Sequence, residues 1–531
     1  MTKKILVADK IAEQGVGYLR EQEEFQVDVQ HGLDEAGLCA AIPGYHAVLV
    51  RSAARITDKV IAAADQLQVI GRAGIGVDNI DVDKATEKGI AVLNTPDANA
   101  TTTAELTFAH ILSLSRNLPA ADRSVRAGEW KRSQFVGAEL AGKTLGIIGY
   151  GTIGRIVANR ARAFRMDVIA HDPFVTAEIC ASDGIRSVTL DELLQVADYV
   201  TLHCPVNDKT RGLLGAERLA QMKPGARLIN CARGGLVDEA ALHDALQSGH
   251  LAGAALDVFV QEPPADSPLL GLGNIVFTPH LGASTEEAQT AAGLEIARQV
   301  SVYLRTGEPI NAINLPPVSG EELAKLQPYL ILARRLGKLL GHMADAPIRR
   351  LDVTLSGAAA ERDIRSISTA GLVGLIGSYM SIPVNRVNAR TIADQQGVEL
   401  KESLRETHPV YHGTVNLTAH YGNRHLSVEG TLFDRTQPRL VRIGAYPIET
   451  VLDGHLIATR HVDQPGVVAA VSSLLAQQDI NIQHMQMGVA PGSNMAVAVL
   501  GIERPVDDAT LAALAQIQAI DKVLQVSLQA P

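Results

Sequence analysis

The stretch that decides the fold is Thr144-Leu-Gly-Ile-Ile-Gly-Tyr-Gly-Thr-Ile-Gly-Arg155. It opens as an apolar run typical of a strand and continues into a helical pattern, with Gly149, Gly151 and Gly154 in G-x-G-x-x-G spacing between them. The first glycine permits a tight turn, the second lets the backbone approach a pyrophosphate, and the third lets the helix pack closely on the strand. The helix N-terminus would then face the phosphates with free N–H groups, so the stretch predicts a dinucleotide site.

An acidic residue at the expected distance supports this interpretation. The next strand-like run, 167–171, is followed by Asp172, where a ribose-binding carboxylate is expected. Such a carboxylate accepts hydrogen bonds from the ribose hydroxyls and repels a 2′-phosphate, which favours NAD over NADP. The alternative is that the glycines form only a structural turn, because a chain with 46 glycines can contain such a spacing by chance.

Strand-like runs alternate with helix-length segments on both sides of this stretch, which is typical of parallel α/β sheets. They predict two Rossmann-like doubly wound domains, one over residues 1–98 and an NAD-binding one over residues 99–283. Long helical patterns follow each of them, at 100–118 and 284–304. The runs expected to be strands are 4–8, 25–29, 47–50, 69–72, 90–93, 145–149, 167–171, 199–203, 227–230, 253–258 and 274–278.

Two smaller modules follow a linker marked by the prolines of Asn314-Leu-Pro-Pro. Residues 317–450 show helical stretches first and then strand-like runs, which predicts an α+β module; the runs are 414–421, 425–431 and 440–443. Residues 454–531 show the order strand, helix, strand, strand, helix, strand, which predicts a ferredoxin-like βαββαβ unit.

Composition argues against several classes of protein. The chain has 531 residues, 48 Lys+Arg against 58 Asp+Glu, and a formal net charge of −10 without a basic tract, so it is a poor match for nucleic acid or an anionic membrane. Four scattered cysteines predict neither a disulfide framework nor a zinc site, and no metal is expected. The uncharged stretch 366–385 is interpreted as a packed helix and turn, and the N-terminus lacks a signal-peptide core, so we expect a cytoplasmic protein.

Three polar residues follow predicted strands of the second sheet, where doubly wound folds place their ligands: Arg233, Glu262 and His280. Oxidation of a 2-hydroxy acid needs a base for the hydroxyl proton, a cation for the carboxylate and the polarised oxygen, and a group that orients the base. His280 suits the first role because imidazole titrates near neutrality. Arg233 suits the second because its planar fork binds a carboxylate in two places. Glu262 would orient His280 and, by favouring the imidazolium, raise its pKa.

Taken singly, these residues also fit a purely structural interpretation, as a loop histidine, an arginine in a turn and a solvated glutamate. Their joint pattern is more specific. The motifs resemble those of the D-isomer-specific 2-hydroxyacid dehydrogenase family over residues 3–312. They are Gly149-Tyr-Gly-Thr-Ile-Gly, Asp172, Asn230-Cys-Ala-Arg-Gly-Gly, Asp257-Val-Phe…Glu262-Pro and Thr278-Pro-His-Leu-Gly-Ala.

This resemblance implies an NAD-dependent dehydrogenase whose catalytic residues are Arg233, Glu262 and His280. It also implies a discontinuous substrate domain, in which residues 1–98 are completed by residues 284–312, with the active site in the cleft between the two domains. Asp257 would lie beside the nicotinamide amide. The cofactor contacts that the resemblance implies are Gly149, Gly151, Thr152, Ile153, Gly154, Asp172, Cys204, Cys231, Ala232, Arg233, Asp257, Gly282 and Ala283.

The two C-terminal modules narrow the substrate. The module at 317–450 resembles the extra domain of long-form family members that oxidise 3-phospho-D-glycerate in the first step of serine synthesis. The resemblance implies that Arg51 and Ser52 bind the phosphate end of this substrate and that Arg72 and Gly74 bind its carboxylate side. Arg132 would reach the site of a neighbouring subunit. Without the resemblance, each of these arginines would be interpreted as a surface charge.

The last module, residues 454–531, resembles an ACT domain, which implies an amino-acid effector at a subunit interface. L-serine, the end product of the pathway, is the expected effector, and paired ACT units favour a homotetramer. The helix N-terminus after Gly466 suits the effector carboxylate, and Asp463 or Asn481 suits its ammonium group, with His461 in the same turn. The alternative is an ACT fold that serves assembly alone.

Two rival functions stay open at this point. A glyoxylate or hydroxypyruvate reductase of the same family would share the catalytic core, but such enzymes usually end near its last helix. An NAD-sensing binding protein, like the corepressors that share this fold, would not need Arg233, Glu262 and His280 together.

Overall fold

The protein is described here by a computed structural model that covers residues 2–316 and 320–528, the latter without the side chains of residues 320 and 321. The strands, numbered β1 to β22 in chain order, are Lys3–Val7, Phe25–Val29, Ala47–Val50, Val69–Arg72, Ala91–Leu93, Thr144–Ile148, Asp167–His171, Arg186–Ser187, Tyr199–Leu202, Arg227–Asn230, Gly253–Leu256, Ile275–Phe277, Arg350–Gly357, Glu399–Arg405, Gly413–Tyr421, Arg424–Phe433, Gln437–Ile443, Tyr446–Val451, His455–Val462, Ile482–Val489, Met495–Ile502 and Ile520–Ser527.

The α-helices, numbered α1 to α17 in the same way, are Glu13–Arg20, Glu35–Ala41, Asp58–Ala63, Val82–Glu87, Ala100–Arg116, Leu118–Arg126, Thr152–Ala163, Ala177–Ser182, Leu190–Val196, Ala216–Gln221, Glu239–Gln247, Glu286–Thr306, Gly320–Met343, Ile364–Ile376, Ala389–Gln395, Val467–Gln477 and Asp508–Ala515. Short 3-10 turns at Arg132–Phe135, Gly234–Leu236 and Pro268–Gly271 complete the helical segments.

The first lobe is built on a five-stranded parallel sheet of order β2-β1-β3-β4-β5. Its central strand β3 is buried along its whole length, as expected when helices cover both faces of a parallel sheet. The strand order reverses between β1 and β3, so the connections from these two strands leave in opposite directions. A crevice therefore opens beyond their carboxyl ends.

The second lobe is built on a seven-stranded parallel sheet of order β12-β11-β10-β9-β6-β7-β8. Its order reverses between β6 and β9, next to the glycine-rich turn that follows β6. Six of its strands were expected from the sequence. The seventh, β8, has only two residues at the sheet edge, which is too short to produce a recognisable pattern.

Helix α12 returns the chain from the second lobe to the first. It packs on α1 so closely that a Cβ atom on Gly15 would lie 2.2 Å from the carbonyl oxygen of Gly293. Its side chains Ile296 and Val300 cover Gly71 of β4, where a Cβ would lie within 2.8 Å of each. The first lobe is thus assembled from two separate segments of the chain.

The middle module contains a six-stranded mixed sheet of order β14-β13-β15-β16-β17-β18. The expectation that its helical stretches precede all its strands is wrong, because β13 lies between α13 and α14. Strand β14 is an edge strand whose side chains are mostly exposed, so its sequence lacks apolar alternation. Helix α14 covers the first part of the uncharged stretch 366–385, and its residues 366–376 are all buried.

The middle module is inserted into the first lobe at one segment. Val387 is 6% exposed and belongs to the same apolar cluster as Leu304 and Leu315 of the first lobe. Beside it, the side-chain amide of Asn385 donates a hydrogen bond to the carbonyl oxygen of Gly89 at 2.8 Å. The middle module and the first lobe therefore share part of one core.

The last module is the expected βαββαβ unit, with an antiparallel sheet of order β20-β21-β19-β22. Helices α16 and α17 cover one face. On the other face, Leu456, Val497 and Val526 join the apolar core of the middle module. The predicted architecture of two doubly wound domains, an α+β module and a βαββαβ unit is confirmed. Over residues 2–316 and 320–528, no helix is long and apolar enough to span a bilayer.

Candidate active site

His280 and Glu262 form the central pair of the site. Nδ1 of His280 lies 2.7 Å from Oε2 of Glu262, and their side chains are 48% and 38% exposed. A carboxylate only accepts, so Nδ1 carries the shared hydrogen, and Nε2 makes no hydrogen bond to the described residues. Burial opposes ionisation of Glu262, but hydrogen bonds from His280 and from the N–H of Phe259 outweigh it and lower the pKa of Glu262.

The loop that carries His280 is held by the fully buried carboxylate of Asp257, which follows β11. Its Oδ1 accepts from the hydroxyl of Thr278 at 2.6 Å and from the N–H of Leu281 at 2.7 Å, and Oδ2 accepts from the N–H of Gly282 at 2.9 Å. His280 itself has φ 55°, a left-handed conformation that few non-glycine residues adopt. The hydrogen bonds around Asp257 hold the backbone in this strained conformation.

His110 on α5 extends this network below the loop. Its Nε2 lies 3.0 Å from the hydroxyl oxygen of Thr278. Burial lowers the pKa of His110, so its ring is neutral, and we assign Nε2–H as the donor to Thr278 because the hydroxyl hydrogen goes to Asp257. No sequence pattern marks His110, because it lies within a helix far from any motif.

Arg233 connects the two lobes across the cleft. Its Nε lies 3.0 Å from Oδ2 of Asp78, in the loop after β4, and its Nη1 donates to the carbonyl oxygen of Ala232 at 2.7 Å. Gly76 leaves the space for the guanidinium, because a Cβ atom there would lie 1.6 Å from Nη2 of Arg233. The charge of Arg233 also helps to lower the pKa of Glu262, which places Arg233 and Glu262 in one electrostatic neighbourhood.

Arg72 and Arg51 bring two more guanidinium groups to this region. Burial and then repulsion from Arg233 lower the pKa of Arg72 to about 10, with a smaller contribution from Arg51. The Nε of Arg72 has no hydrogen-bond partner among the described residues. Gly74, at φ 144°, makes room for this guanidinium, since a Cβ there would lie 2.3 Å from its Nη1. Ser52 is exposed next to Arg51. Such an arrangement favours a ligand with more than one negative charge.

Three polar residues of the first lobe were missed by the sequence interpretation: Asp9, Asp78 and Asn79. Asp78 pairs with Arg233, whereas Asp9 and Asn79 hydrogen-bond the loop 51–54. Asp9 could have been found, because it lies two residues beyond β1, at the carboxyl end of a strand in a parallel sheet, where ligand-binding residues are common.

The glycine turn after β6 fits a dinucleotide. Gly149 has φ 96°, and a Cβ there would lie 2.6 Å from the backbone of His203. A Cβ on Gly154 would lie 2.3 Å from the carbonyl oxygen of Gly149, so the helix could not pack as it does. At Gly151, in contrast, nothing lies within 4 Å of the Cβ position, which leaves open space in front of the helix that begins at Thr152 and Ile153.

Asp172 lies beside this turn. Its Oδ2 accepts from the N–H of Tyr150 at 2.8 Å and its Oδ1 from the N–H of Phe174 at 2.8 Å. The carboxylate is thereby fixed next to the glycine turn, and each oxygen keeps a lone pair for a ribose hydroxyl. Burial raises the pKa of Cys204 to about 11 and that of Cys231 to about 12, so both thiols are neutral and offer no charge to a cofactor.

The other expected cofactor contacts lie in the loops that follow β10, β11 and β12. The N–H of Ala232 donates to the side-chain oxygen of Asn230 at 3.0 Å, and the carbonyl oxygen of Gly282 accepts from Thr103 at 2.9 Å. Ala283 follows as a half-buried residue. The carboxylate of Asp257 is occupied by its own loop, so its fixed role in this structure is to hold that loop.

Arg132 lies apart from this cluster. It begins the exposed 3-10 turn Arg132–Phe135, and no hydrogen bond or ion pair within the described part of the chain ties it to the cleft. Its expected contact with a neighbouring subunit stays a prediction.

The expected effector residues differ in their exposure. Asp463 and Asn481 are exposed, and Gly466, at φ 93°, opens helix α16. His461 is 2% exposed, with Nδ1 3.1 Å from the hydroxyl of Thr459, so it supports the turn from inside the module. Only the first two present polar side chains to a ligand in this chain, and the effector site stays a prediction.

Three protein families match separate segments of the chain, and these segments correspond to the second lobe, the middle module and the last module. Residues 108–282 match the NAD-binding domain of D-isomer-specific 2-hydroxyacid dehydrogenases, residues 325–444 the D-3-phosphoglycerate dehydrogenase intervening domain, and residues 455–520 the ACT domain. The chain is 40% identical over 526 residues to D-3-phosphoglycerate dehydrogenase of Methanocaldococcus jannaschii, covering 99% of this chain and 100% of that one. It is 38% identical to the protein of that name in Bacillus subtilis, with 99% of each chain covered.

Among solved structures, D-lactate dehydrogenase from Aquifex aeolicus, complexed with NAD and lactic acid, superimposes with a TM-score of 0.54 at 28% identity. The match covers 59% of this chain and 99% of that one. The superposition therefore covers the two lobes. Together with the match to the NAD-binding domain, it shows that the cofactor of this chain is NAD.

The contrast between Gly151 and Gly154 gives a test of the cofactor loop. Gly151→Ala should leave thermal stability unchanged, because its Cβ meets no protein atom, but should raise the NADH dissociation constant by roughly 10- to 100-fold, the effect of about 1–3 kcal/mol of steric cost. Gly154→Ala should instead lower the melting temperature. Fluorescence titration with NADH and thermal unfolding of both variants would check this. A Gly151→Ala protein with unchanged NADH affinity would contradict the assignment of this loop.

Proposed function

The chain belongs to the D-isomer-specific 2-hydroxyacid dehydrogenase family, and from that membership we propose that it oxidises 3-phospho-D-glycerate to 3-phosphooxypyruvate with NAD, the first step of L-serine biosynthesis. The observation that carries this proposal is the full-length agreement with relatives named D-3-phosphoglycerate dehydrogenase, which includes both C-terminal modules. That the enzyme is an NAD-dependent dehydrogenase follows from the family itself.

In this proposal His280 is the general acid and base. Its Nδ1–H is engaged with Glu262 at 2.7 Å, so Nε2 is the nitrogen that takes the proton of the substrate hydroxyl. When bound, the nicotinamide of NAD accepts the hydride that leaves C2 of the substrate. Glu262, whose lowered pKa keeps it ionised at neutral pH, stabilises the imidazolium that results and holds the ring in place.

Arg233 binds the substrate carboxylate and polarises the oxygen that becomes the carbonyl. Its Nε is paired with Asp78, which leaves the Nη2 edge of the guanidinium for the substrate. Arg72 and Gly74 complete the carboxylate side, and Arg51 and Ser52 receive the phosphate. The guanidiniums of Arg51, Arg72 and Arg233 lie close enough to affect one another electrostatically, and such a group of cations suits a substrate with two anionic ends.

The proposed domain roles follow from the same assignment. Residues 1–98 with 284–312 bind substrate, residues 99–283 bind NAD, residues 317–450 form the intervening module, and residues 454–531 form the regulatory ACT unit. The glycine turn and Asp172 hold the dinucleotide, and Arg132 contributes from a neighbouring subunit.

Turnover with alternative substrates tests the proposed reaction. Purified protein given 3-phosphooxypyruvate and NADH should consume NADH, as followed by the loss of nicotinamide absorbance. Turnover with glyoxylate but none with 3-phosphooxypyruvate would favour a small 2-oxo-acid reductase instead. Binding of NADH without turnover of either compound would favour an NAD-sensing protein.

Substitution of His280 tests the assigned chemistry. His280→Asn should lower kcat by roughly 10²- to 10⁴-fold, the usual loss when a general acid–base is removed. NADH affinity should stay unchanged, because the glycine turn is untouched. Steady-state kinetics with a parallel NADH titration would show both effects. Full activity of the variant would remove His280 from the mechanism.

Regulation is the second part of the proposal: L-serine inhibits the enzyme by binding the ACT units of a homotetramer. Asp463 lies exposed next to the N-terminus of α16, and Asn481 lies exposed beyond the C-terminal end of this helix, at the opposite end of the sheet, so an effector at an interface between ACT units could contact both only from two chains. Asn481→Ala should weaken serine inhibition with turnover in the absence of serine unchanged. Removing the ACT unit is a poorer test, because Leu456, Val497 and Val526 share a core with the middle module. Unaltered inhibition in both Asn481→Ala and Asp463→Ala would exclude this location, and sedimentation velocity would report the assembly.

A further inference from the structure

One buried carboxylate organises the loop 51–54 of the first lobe. Oδ2 of Asp9 accepts three backbone hydrogen bonds, from the N–H groups of Arg51 at 2.9 Å, Ala53 at 3.1 Å and Ala54 at 3.0 Å. Asp9 is 7% exposed, so these bonds form away from bulk water. Hydrogen bonds of this kind compensate a carboxylate for the contacts with water that it loses on burial.

Asn79 holds the same loop through its carbonyl groups. Its side-chain amide donates to the carbonyl oxygen of Arg51 at 2.9 Å and to that of Ala54 at 2.7 Å. Asp9 therefore accepts hydrogen bonds from the N–H groups of this loop, and Asn79 donates hydrogen bonds to the carbonyl groups of the same loop. The loop has no regular secondary structure of its own, so these two side chains determine its shape.

The position of Asp9 in the sheet explains why it can do this. Asp9 follows β1 and Arg51 follows β3, and these adjacent parallel strands are the ones between which the strand order reverses. Residues at the carboxyl ends of such strands face the ligand crevice of an open α/β sheet. Asp9 therefore lies directly behind the segment that borders this crevice.

The hydrogen-bond donors of the loop that do not contact Asp9 indicate what the loop can bind. Within the described residues, the N–H of Ser52 and the guanidinium of Arg51 make no hydrogen bond. The N–H groups on either side of Ser52 are turned to Asp9, so the Ser52 N–H and hydroxyl and the Arg51 side chain are the loop's remaining donors. Three donors on two adjacent residues can bind the oxygens of a phosphate.

We propose that Asp9 is a positioning residue that sets the selectivity of the enzyme for phosphorylated hydroxy acids, by fixing the 51–54 loop in the shape that binds the phosphate. This inference rests on the proposed oxidation of 3-phospho-D-glycerate. Asp9 touches neither substrate nor cofactor. It acts on the loop through three backbone N–H groups, and no ion pair joins it to Arg51 within the described residues.

The experiment compares a phosphorylated and an unphosphorylated substrate in the full-length enzyme. In Asp9→Asn, the KM for 3-phosphooxypyruvate should rise by roughly 10- to 100-fold, the scale of misplacing a binding group. The kcat should stay within about threefold, because the groups that act on C2 are unchanged. Hydroxypyruvate, which lacks the phosphate, should keep its KM or, where it is not turned over, its competitive inhibition constant.

A matched control separates positioning from general loss of stability. Asp198, in the second lobe, also accepts a backbone hydrogen bond through one carboxylate oxygen, from the N–H of Thr144 to Oδ2 at 2.9 Å. Unlike Asp9, it contacts no residue of the candidate site. Asp198→Asn should lower the melting temperature without changing the ratio of the two KM values. Asn79→Ser, which frees the loop from the opposite side, should reproduce the selective KM effect if Asp9→Asn does not fold.

The outcomes are distinguishable from failure of the proposed reaction. Wild-type enzyme that does not turn over 3-phosphooxypyruvate overturns the reaction itself. If the wild type is active, an unchanged KM in Asp9→Asn and Asn79→Ser overturns the inference alone. An equal loss for phosphorylated and unphosphorylated substrates also overturns it, because it would show a merely structural role.

Discussion

The hydrogen bonds of the buried Asp257 carboxylate are the interaction on which the candidate active site depends. They draw the N–H groups of Leu281 and Gly282 and the hydroxyl of Thr278 to one point at the end of β11. This holds His280 in a left-handed conformation and brings its ring to Glu262, 18 residues earlier in the chain. A charge in a dry interior is costly unless it is fully hydrogen-bonded, so the loop and the carboxylate stabilise each other. The geometry of the acid–base pair is therefore a property of the sheet edge, not of the two side chains alone.

Much of this arrangement is predictable from the sequence, for one topological reason. Parallel strands end at a common edge, so polar residues that directly follow them come together in space even when they are far apart in the chain. Arg233, Glu262 and His280 follow β10, β11 and β12, and the alternation of strand-like and helical runs was enough to expect them near one another. The glycine turn was equally predictable, because Gly149 and Gly154 leave no space for a side chain.

The features that could not be predicted have partners that leave no pattern in the sequence. Asp9 bonds to backbone N–H groups more than 40 residues away, and any residue supplies such a group. Strand β14 is an edge strand with exposed, polar side chains, so the alternation that marks a half-buried strand is missing. His461 stands in the motif of an effector turn, yet its ring is directed into the module, and only tertiary packing decides this.

The insertion of Val387 into the core of the first lobe has a mechanical consequence. Two bodies that share buried apolar contacts and a hydrogen bond such as Asn385 to Gly89 rotate together more easily than they separate. The middle module also shares an apolar core with the last module, so packed contacts run without interruption from the first lobe to the end of the described chain. If the cleft between the two lobes opens, the change in backbone angles would fall on the chain crossings near residues 94–99 and 282–285, and Arg51 and Arg72 would move together with the middle module relative to the glycine turn.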